Sequence, residues 1–453
     1  MSENIMDKIV SLCKRRGFIF PGSDIYGGLG GTWDYGALGA ILKNNIRQAW
    51  IKRFVQGRGD VDLIEGTILM ARRTWEASGH VAGFNDLLVE CKKCHERFRA
   101  DHMDEGKYVG QGKAKGNSQC SACGAKEFTE PKQFNMMFET YVGPIKDEER
   151  KTYLRPETAQ SMFTNFKNVV DSARRKPPFG IAQVGRCFRN EIQTGNFIFR
   201  SREFEIAEME YFVKPGDDDR AFEEWVGEWE GFFHSIGIKK ENLRRQEISK
   251  ESLAHYSKRT IDLHYKFPFG WDEVAGIANR TDFDLKRHIE YSGKDLMYKD
   301  EVTQEKYVPY VIEPTLGIDR AFVACLIDAY DEVEGGRSTT TEANKEVETV
   351  LRLHKSIAPI KVAILPLSKK EPLQKIGQEL AVSLRPYMTV AYDEVASIGR
   401  RYRRQDEIGT PYCVTVDFDS LDDKKVTVRD RDTMEQERVA VAELISYLKE
   451  KLL

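Results

Sequence analysis

The stretch FGIAQVGRCFRNEIQTGNFIFRSREFEIAEMEYF, residues 179–212, decides how the chain is read. Two strand-like runs flank a short turn. Period-2 alternation puts Gln183, Arg189 and Glu191 on one parity, and Arg200, Arg202, Glu208 and Glu210 on one parity of the returning run. Fixed arginines and glutamates on a sheet face cost desolvation free energy unless a ligand or an opposite charge meets them. The pattern therefore points to a ligand carrying both anionic and cationic groups.

The rest of the chain frames that ligand. With 453 residues, 41% hydrophobic and 31% charged, the composition is that of a globular protein of two or three domains with ample core. The 69 Lys+Arg against 72 Asp+Glu exclude a global positive field, so nucleic-acid contact must come from local basic patches. No apolar run approaches the roughly 20 residues that span a bilayer. The start, MSENIMDKIV, is unlike a signal peptide, and the expected location is the cytoplasm. Of eight Cys, four form two close pairs, while Cys13, Cys187, Cys325 and Cys413 are scattered through core-like segments. That predicts reduced thiols and one metal site, not a disulfide framework.

Along the chain, ALGAILKNNIRQAWIKRFV (37–55) has helical spacing, and residues 61–69 read as a strand. Residues 86–130 lose apolar periodicity and mark an insertion. Residues 215–262, which contain the aromatic run WVGEWEGFFHSIG, are expected to be a helical insertion. A polar Gly/Thr-rich loop spans 331–344. Beyond residue 357 strands and helices alternate, which reads as a separate α/β domain at 358–453 after a larger domain at 1–357.

A second charged constellation, VPYVIEPTLGIDRAFVACLIDAY (308–330), ends a strand with Pro314 and Gly317 and starts a helix near Asp319. Arg320 in the first helical turn opposes the macrodipole unless it shares in binding an anion. Pairing with Glu313 or Asp319 is the structural alternative. No GxxxxGK[ST] occurs, and neither GQGKAKG (110–116) nor GGLGG (27–31) has the strand-turn-helix context of a phosphate loop. A phosphate ligand would have to be held by arginines on an antiparallel sheet and by divalent metal.

FRNE (188–191) with REFEIAEMEYF (202–212), and EP followed by GIDR (317–320), resemble motifs 2 and 3 of class II aminoacyl-tRNA synthetases. LRPETAQ (154–160), RADH (99–102), GIANRTDFDL (276–285), RRQDEIGTP (403–411) and VTVRDRDTMEQ (426–436) extend the resemblance over nearly the whole chain, to the single-chain homodimeric glycyl-tRNA synthetases. The resemblance implies an α+β fold: a class II catalytic domain with an antiparallel sheet flanked by helices, and a C-terminal α/β anticodon-binding domain. Motif 1 would fall at about 37–72, motif 2 at 179–212 and motif 3 at 308–330. The implied reaction is ATP- and Mg²⁺-dependent attachment of glycine to tRNA(Gly) through a glycyl-adenylate.

By the same resemblance, Arg189, Glu191 and Arg320 are the catalytic set. ATP is expected on these together with Asn190, Phe199, Arg200, Ser201, Arg202, Glu203, Phe204, Glu273, Val274, Gly317, Ile318 and Asp319. Glycine is expected on Arg99, Glu157, Phe204, Glu205, Ile206, Ala207, Glu208, Glu313, Pro314, Thr315, Leu316 and Gly317, with Glu157, Glu208 and Glu313 around its ammonium. Because the attacking carboxylate is already an anion, no general base is required, and His80, His102 and His288 are read as structural or orienting. Glycine has no smaller competitor, so steric exclusion replaces editing. The chain departs from the family pattern at Ser161 and Thr315, where glycine and serine are usual. It also lacks a motif 1 proline in ILMARRTW (68–75).

CKKC (91–94) and CSAC (120–123) are two CxxC knuckles, and the thiolates of Cys91, Cys94, Cys120 and Cys123 suit tetrahedral structural Zn²⁺; free or redox-active cysteines are the alternative. Basic clusters at Arg72 and Arg73, Arg174 to Lys176, and Arg400 to Arg404 around Tyr402 are candidate RNA phosphate contacts or solvated faces. In the family the last domain reads the anticodon, and the turn Ile192 to Asn196 approaches the acceptor end. A homodimer through the helix at 37–55 and its following strand is implied, with no membrane and no DNA partner. The competing readings are a class II synthetase of another specificity, such as serine or alanine, and a non-catalytic homologue.

Overall fold

The charged stretch lies in the middle of a seven-stranded sheet. In the computed structural model, which describes residues 5–100, 119–335, 337 and 347–452, this sheet is built from β1 (Val61–Leu63), β2 (Phe179–Phe188), β3 (Glu203–Val213), β4 (Leu243–Glu247), β5 (Arg259–Phe267), β6 (Gly270–Thr281) and β7 (Tyr310–Gly317). The order is β4-β5-β6-β7-β3-β2-β1, antiparallel throughout except for the edge pair β2 and β1. The fold is α+β, as expected. Helices cover both faces: α1 (Ile5–Arg16), α2 (Ala37–Ile51), α3 (Ala159–Ala173), α4 (Asp218–Ser235), α5 (Phe283–Ser292) and α6 (Ile318–Ala329).

Alternation along β3 sorts the two faces. Met209, Tyr211 and Val213 enter the main core with α1, α2, α4 and α6. Phe212 enters a second core with α3 and α5, stacking against Phe166 and Phe179 at 4.7 and 5.2 Å. Glu208 and Glu210 share the parity of Phe212, so the two glutamates lie under α3 and α5, where a purely structural sheet would carry apolar residues.

The expected helical insertion at 215–262 is helical only over α4. Its rings at Trp225, Trp229, Phe232 and Phe233 are fully buried in the main core, with Phe54 and Trp229 at 4.3 Å. Each such ring contributes roughly 1.5–3 kcal/mol through burial. β4 and the start of β5 fill the remainder, extending the catalytic sheet at its edge. Two further boundaries differ from expectation. The strand expected at 61–69 is two short pieces, β1 and Leu69–Met70. The return run starts at Glu203, so Arg200 and Arg202 belong to a long loop with a turn at Phe197–Phe199. That loop docks on the segment 22–33. Gly31, at φ 74°, approaches so closely that a Cβ there would lie 2.2 Å from Thr194 Cγ2, while Trp33 packs edge-on against Phe197 at 4.9 Å.

The Cys-pair insertion is a small module of its own. Strands Asn85–Glu90, Arg97–Arg99 and Lys132–Asn135 form a three-stranded sheet over a core of Val89, Cys91, Phe98 and Cys120. His102, the glycines of GQGKAKG and much of the polar loop at 331–344 lie outside the described residues.

The C-terminal sheet comprises β8 (Val362–Pro366), β9 (Val390–Tyr392), β10 (Tyr412–Val416), β11 (Lys425–Asp430) and β12 (Gln436–Ala440), in the order β9-β8-β10-β11-β12. Its first three strands are parallel and the rest antiparallel. α7 (Glu371–Leu384), α8 (Ile398–Glu407) and α9 (Leu444–Leu452) accompany them. Unlike the catalytic sheet, it centres on an aliphatic core, with Val362, Ile364, Val414 and Val428 in one cluster. α8 ties it to the larger domain through Arg16 to Glu407, Arg337 to Asp406 and Arg403 to Glu348, at 2.6, 3.1 and 2.8 Å. Among the described residues, no helix is long and apolar enough to cross a membrane.

Candidate active site

A cavity of about 410 Å³ opens over the sheet between the 189–202 loop, strands β3, β5, β6 and β7, and the segment 248–256. Its two ends differ in chemistry.

One end presents cations. Arg320, in the first turn of α6, donates through Nη1 to the Glu273 carbonyl at 2.9 Å, lies 3.1 Å from the Glu273 carboxylate, and stacks on the Phe199 ring at 4.4 Å. It pairs with neither Glu313 nor Asp319, the partners of the structural alternative. Arg189 sits between the rings of Phe84 and Phe204, at 5.4 and 5.3 Å, and donates to the Pro156 carbonyl. Backbone carbonyls and rings hold both guanidiniums in place, and Glu273 partly compensates the charge of Arg320. Glu191 is buried; its Oε2 makes no hydrogen bond and lies 3.6 Å from Arg200 Nε. Asp262 and Glu273 flank Gly276: a Cβ there would meet Asp262 Oδ1 at 3.3 Å and Glu273 Oε1 at 4.0 Å. Burial and the neighbouring Glu273 push the Asp262 carboxyl up to about 7.

The other end presents carboxylates. Glu208 accepts from the Thr158 amide (2.9 Å), the Thr158 hydroxyl (2.5 Å) and the Thr315 hydroxyl (3.1 Å). Glu313 is held by Arg280, whose Nη1 lies 2.9 Å from both carboxylate oxygens. The rest of the same guanidinium grips Asp284 at 2.7 and 2.8 Å. Arg280 is fully buried, with the Tyr256 ring 3.9 Å above it. Glu157 accepts from Gln160 at 2.9 Å and faces His80 Nε2 at 3.3 Å. Burial alone would raise the Glu157 carboxyl, but His80 and Arg280 more than offset it and hold the group well below the ordinary carboxylate range. Ser161 bonds Thr158 and Gln183 beneath Gly66, at 2.8 and 2.5 Å, so its hydroxyl is absorbed by the wall.

Most of the residues singled out in the sequence come together at this cavity. Arg189, Glu191, Phe199, Arg200, Ser201, Phe204, Glu273 and Arg320 line the cationic side; Glu157, Ile206, Glu208, Glu313, Thr315 and Gly317 line the rest. Others are placed differently. Val274, Ile318, Ala207 and Leu316 point into the main core on the opposite parity. Arg202 is spent on the carbonyls of Gly30 and Glu191. Arg186 takes Glu203 on the exposed rim. Asn190 and Pro314 are not among the lining residues. Arg99 belongs to the Cys module and pairs with Asp86 at 2.8 Å.

Glu205 and Asp319 border the cavity, but their oxygens brace the fold. Arg47 grips Glu205 with two hydrogen bonds of 2.8 Å, and Asp319 takes Lys43 at 2.6 Å, the Tyr35 hydroxyl and the Glu205 amide. Arg280, Tyr256, Asp262 and Thr260 were missed. Arg280 and Asp284 share the run GIANRTDFDL, whose i,i+4 opposite charges next to a strand end were the available signal.

In the Cys module the four Sγ atoms all lie within 4.8 Å of one another, with Cys91 to Cys123 at 3.6 Å and Cys94 to Cys120 at 3.4 Å. Tetrahedral zinc with bonds of about 2.3 Å needs sulfurs roughly 3.8 Å apart, and these distances are close to that. Backbone amides of Cys94 and Lys93 point at Cys91 and lower its thiol to about 6, while burial and the neighbouring sulfurs raise the thiols of Cys94 and Cys120.

Of the basic clusters, α8 is largely engaged within the protein: Arg401 is buried against the carbonyls of Pro366 and Asp393, Arg403 takes Glu348 and Arg404 takes Asp393. Arg175 grips Asp62 at 2.6 Å, and Arg72 takes Glu76 and Glu148. Arg73, Arg174, Lys176 and Arg400 are exposed.

An antiparallel sheet that carries arginines from a strand-loop-strand unit and from a following helix start, with no phosphate loop, is the architecture of a class II aminoacyl-tRNA synthetase. The family model "tRNA synthetase class II core domain (G, H, P, S and T)" matches residues 136–330, and "Anticodon binding domain" matches residues 361–451. Three relatives match end to end. The glycine–tRNA ligase of Caldanaerobacter subterraneus is 52% identical, covering 99% of this chain and 98% of its own. That of Alkaliphilus oremlandii is 51% identical over 100% and 99%, and that of Clostridium tetani is 52% identical over 99% of each. The chain belongs to the glycine–tRNA ligase family.

Proposed function

We propose that the protein joins glycine to the 3′ end of tRNA(Gly) in two steps, through a glycyl-adenylate, with release of pyrophosphate and then AMP. The observation that carries this reading is the single cavity whose cationic end, Arg189 and Arg320, meets a carboxylate end, Glu157, Glu208 and Glu313. The ammonium of glycine lies among the three glutamates, and its carboxylate faces the arginines. A glycine carboxylate oxygen attacks the α-phosphorus of ATP, the bond to the β-phosphate oxygen breaks, and pyrophosphate leaves. Arg189 and Arg320 stabilise the charge that builds on the phosphate oxygens. Glu191, with an oxygen free of hydrogen bonds, takes the adenine edge.

The paired oxygen donors at Asp262 and Glu273 fit Mg²⁺, which binds through one or two carboxylates plus phosphates, and such a cation would relieve the mutual repulsion that raises Asp262. Bound there, Mg²⁺ supplies charge neutralisation to the phosphates. The four cysteines hold structural Zn²⁺, and the domain at 358–453 reads the anticodon. The protein works as a cytoplasmic homodimer, joined near the sheet edge at β1, where Leu63, Ile68 and Leu69 are exposed.

Glycine-dependent ATP–pyrophosphate exchange across a panel of amino acids tests the reaction; exchange driven equally by alanine or serine would overturn the specificity. Zinc content below half an equivalent per chain would remove the metal site. A monomer in light scattering at micromolar concentration would remove the dimer.

A further inference from the structure

One group at the floor of the carboxylate end is left without a role. Glu210 is 0% exposed, and neither carboxylate oxygen has a hydrogen-bond partner. On β2 its neighbour is Ile181. On β7 the register that pairs Glu208 with Thr315 and Tyr211 with Ile312 sets Glu210 directly opposite Glu313. Carboxylate oxygens of Glu208, Glu210 and Glu313 converge within 4.8 Å of one another. Two ionised glutamates directly across a buried strand pair repel each other, and an ionised carboxylate with no donor is among the costliest groups to bury.

The cations nearby are already committed, buried Arg155 to the carbonyls of Arg186 and Gly66. Arg280, at the end of β6, is committed to Glu313 and Asp284. α5 contributes Asp284 and His288, and burial lowers the imidazole of His288, which meets Gln160 at 2.8 Å. The buried face of α3 carries no ionisable side chain. On β2 the only such group near Glu208 is the buried thiol of Cys187. Glu157 and His80 stand at the cavity wall as a pair. Burial raises the Glu313 carboxyl as well as that of Glu210. Arg280 donates to both oxygens of Glu313 whereas Glu210 has no donor, so the proton this cluster requires is placed on Glu210 and points to a neighbouring carboxylate. Burial and Glu313 raise the Glu210 carboxyl well above its ordinary range, in the same sense.

We propose that Glu210 is a positioning residue that holds one proton beneath the empty amino acid pocket and releases it to solvent when the ammonium of glycine arrives. The inference rests on the ammonium site formed by Glu157, Glu208 and Glu313. The ammonium supplies the positive charge that the proton supplied before, so the Glu210 O–H bond breaks, the proton passes to buffer, and the glutamate becomes a further anion facing the substrate cation. Proton and ammonium thus exchange with no change in the charge at this end of the cavity.

The test is calorimetry of glycine binding to the full-length protein, in phosphate and in Tris at the same pH. The expected result is a heat that differs between the buffers by about one proton released per glycine, and a buffer-independent heat for Glu210→Gln, which keeps a donor at the site but has no proton to release. A buffer-independent heat in the wild type, with glycine bound, overturns the proposal. So does an equal proton release from Glu210→Gln, which would assign the proton to His80 or Glu313. Absence of glycine binding overturns the ammonium site and this inference together.

A second readout needs no variant. In pyrophosphate exchange, the KM for glycine falls by up to about tenfold per pH unit as pH rises between the bound and free values of Glu210. A glycine KM that does not fall with pH overturns the proposal.

Discussion

The two ends of the cavity hold charge in opposite ways. At the cationic end, proposed for the nucleotide, Arg189 rests on a carbonyl and rings while Arg320 also pairs with Glu273, and both remain partly exposed, so an entering phosphate still meets positive charge there. At the amino acid end, Glu208, Glu313 and Asp284 are buried and tied to Thr158, Thr315 and Arg280 before any substrate is present. A large polyanion brings its own binding energy and shapes a yielding site. A substrate of a few atoms does not, so its pocket has to be organised in advance.

If that contrast holds, a change at the amino acid end acts first on folding and a change at the nucleotide end acts on chemistry. Arg280→Ala is the most severe case, because it strands Glu313 and Asp284 without a counter-charge. The expected loss is about 3–5 kcal/mol in urea unfolding, only partly recovered by Arg280→Lys, which lacks the fork. A loss of the size seen at exposed surface positions, within about 0.5 kcal/mol, breaks the comparison. Arg320→Ala comes next: adenylate formation drops about 10²–10³-fold in single-turnover assays, while the urea midpoint moves little. A large fall in stability with adenylation intact would reverse the assignment of the two ends.

The pH dependence of stability sharpens the amino acid end. Glu210 has its folded value raised above the unfolded value of about 4.3, so the folded state binds the extra proton between them. Its contribution is fully present below about pH 4.3 and declines by up to about 1.4 kcal/mol per pH unit above it. Glu210→Gln lacks that decline, and its stability relative to wild type rises with pH; a constant difference would show that Glu210 does not titrate with folding. The smallest effect is expected from Thr315→Val, which removes one hydrogen bond to Glu208 and raises the glycine KM about 2- to 12-fold, equivalent to about 0.5–1.5 kcal/mol. An unchanged KM would mean that Thr158 alone orients Glu208.

Much of this was legible in the sequence because strand parity is a local property. Glu208 and Glu210 follow from alternation, and Arg320 from the break at Gly317 before an apolar helix. What stayed hidden depends on distant pairing. Arg280 is defined by Glu313, Asp284 and Tyr256, and no local pattern tells a fully buried arginine from a surface one. Asp262 was missed because β4 and β5 sit in a stretch whose aromatic and charged composition reads as helix, although only α4 is helical. Arg202 and Asp319 were assigned to ATP by position in a motif, yet tertiary contacts use the first to pin the Gly30 loop and the second to brace α2. The C-terminal domain is read from the alternation of strands and helices beyond residue 357, but β12 was not legible, since QERVA has little apolar alternation.

The packing of Trp33 on Phe197 gives the protein a built-in optical reporter. Of its six tryptophans, Trp50, Trp75, Trp225 and Trp229 are sealed from solvent, and Trp271 lies beneath Arg244. Trp33 alone touches the loop between Arg189 and Arg202. Emission from the sealed rings should stay constant until the chain denatures, whereas the Trp33 component should shift when ATP draws that loop onto the cavity. A Trp33→Phe difference spectrum would then follow nucleotide arrival in real time without any attached dye.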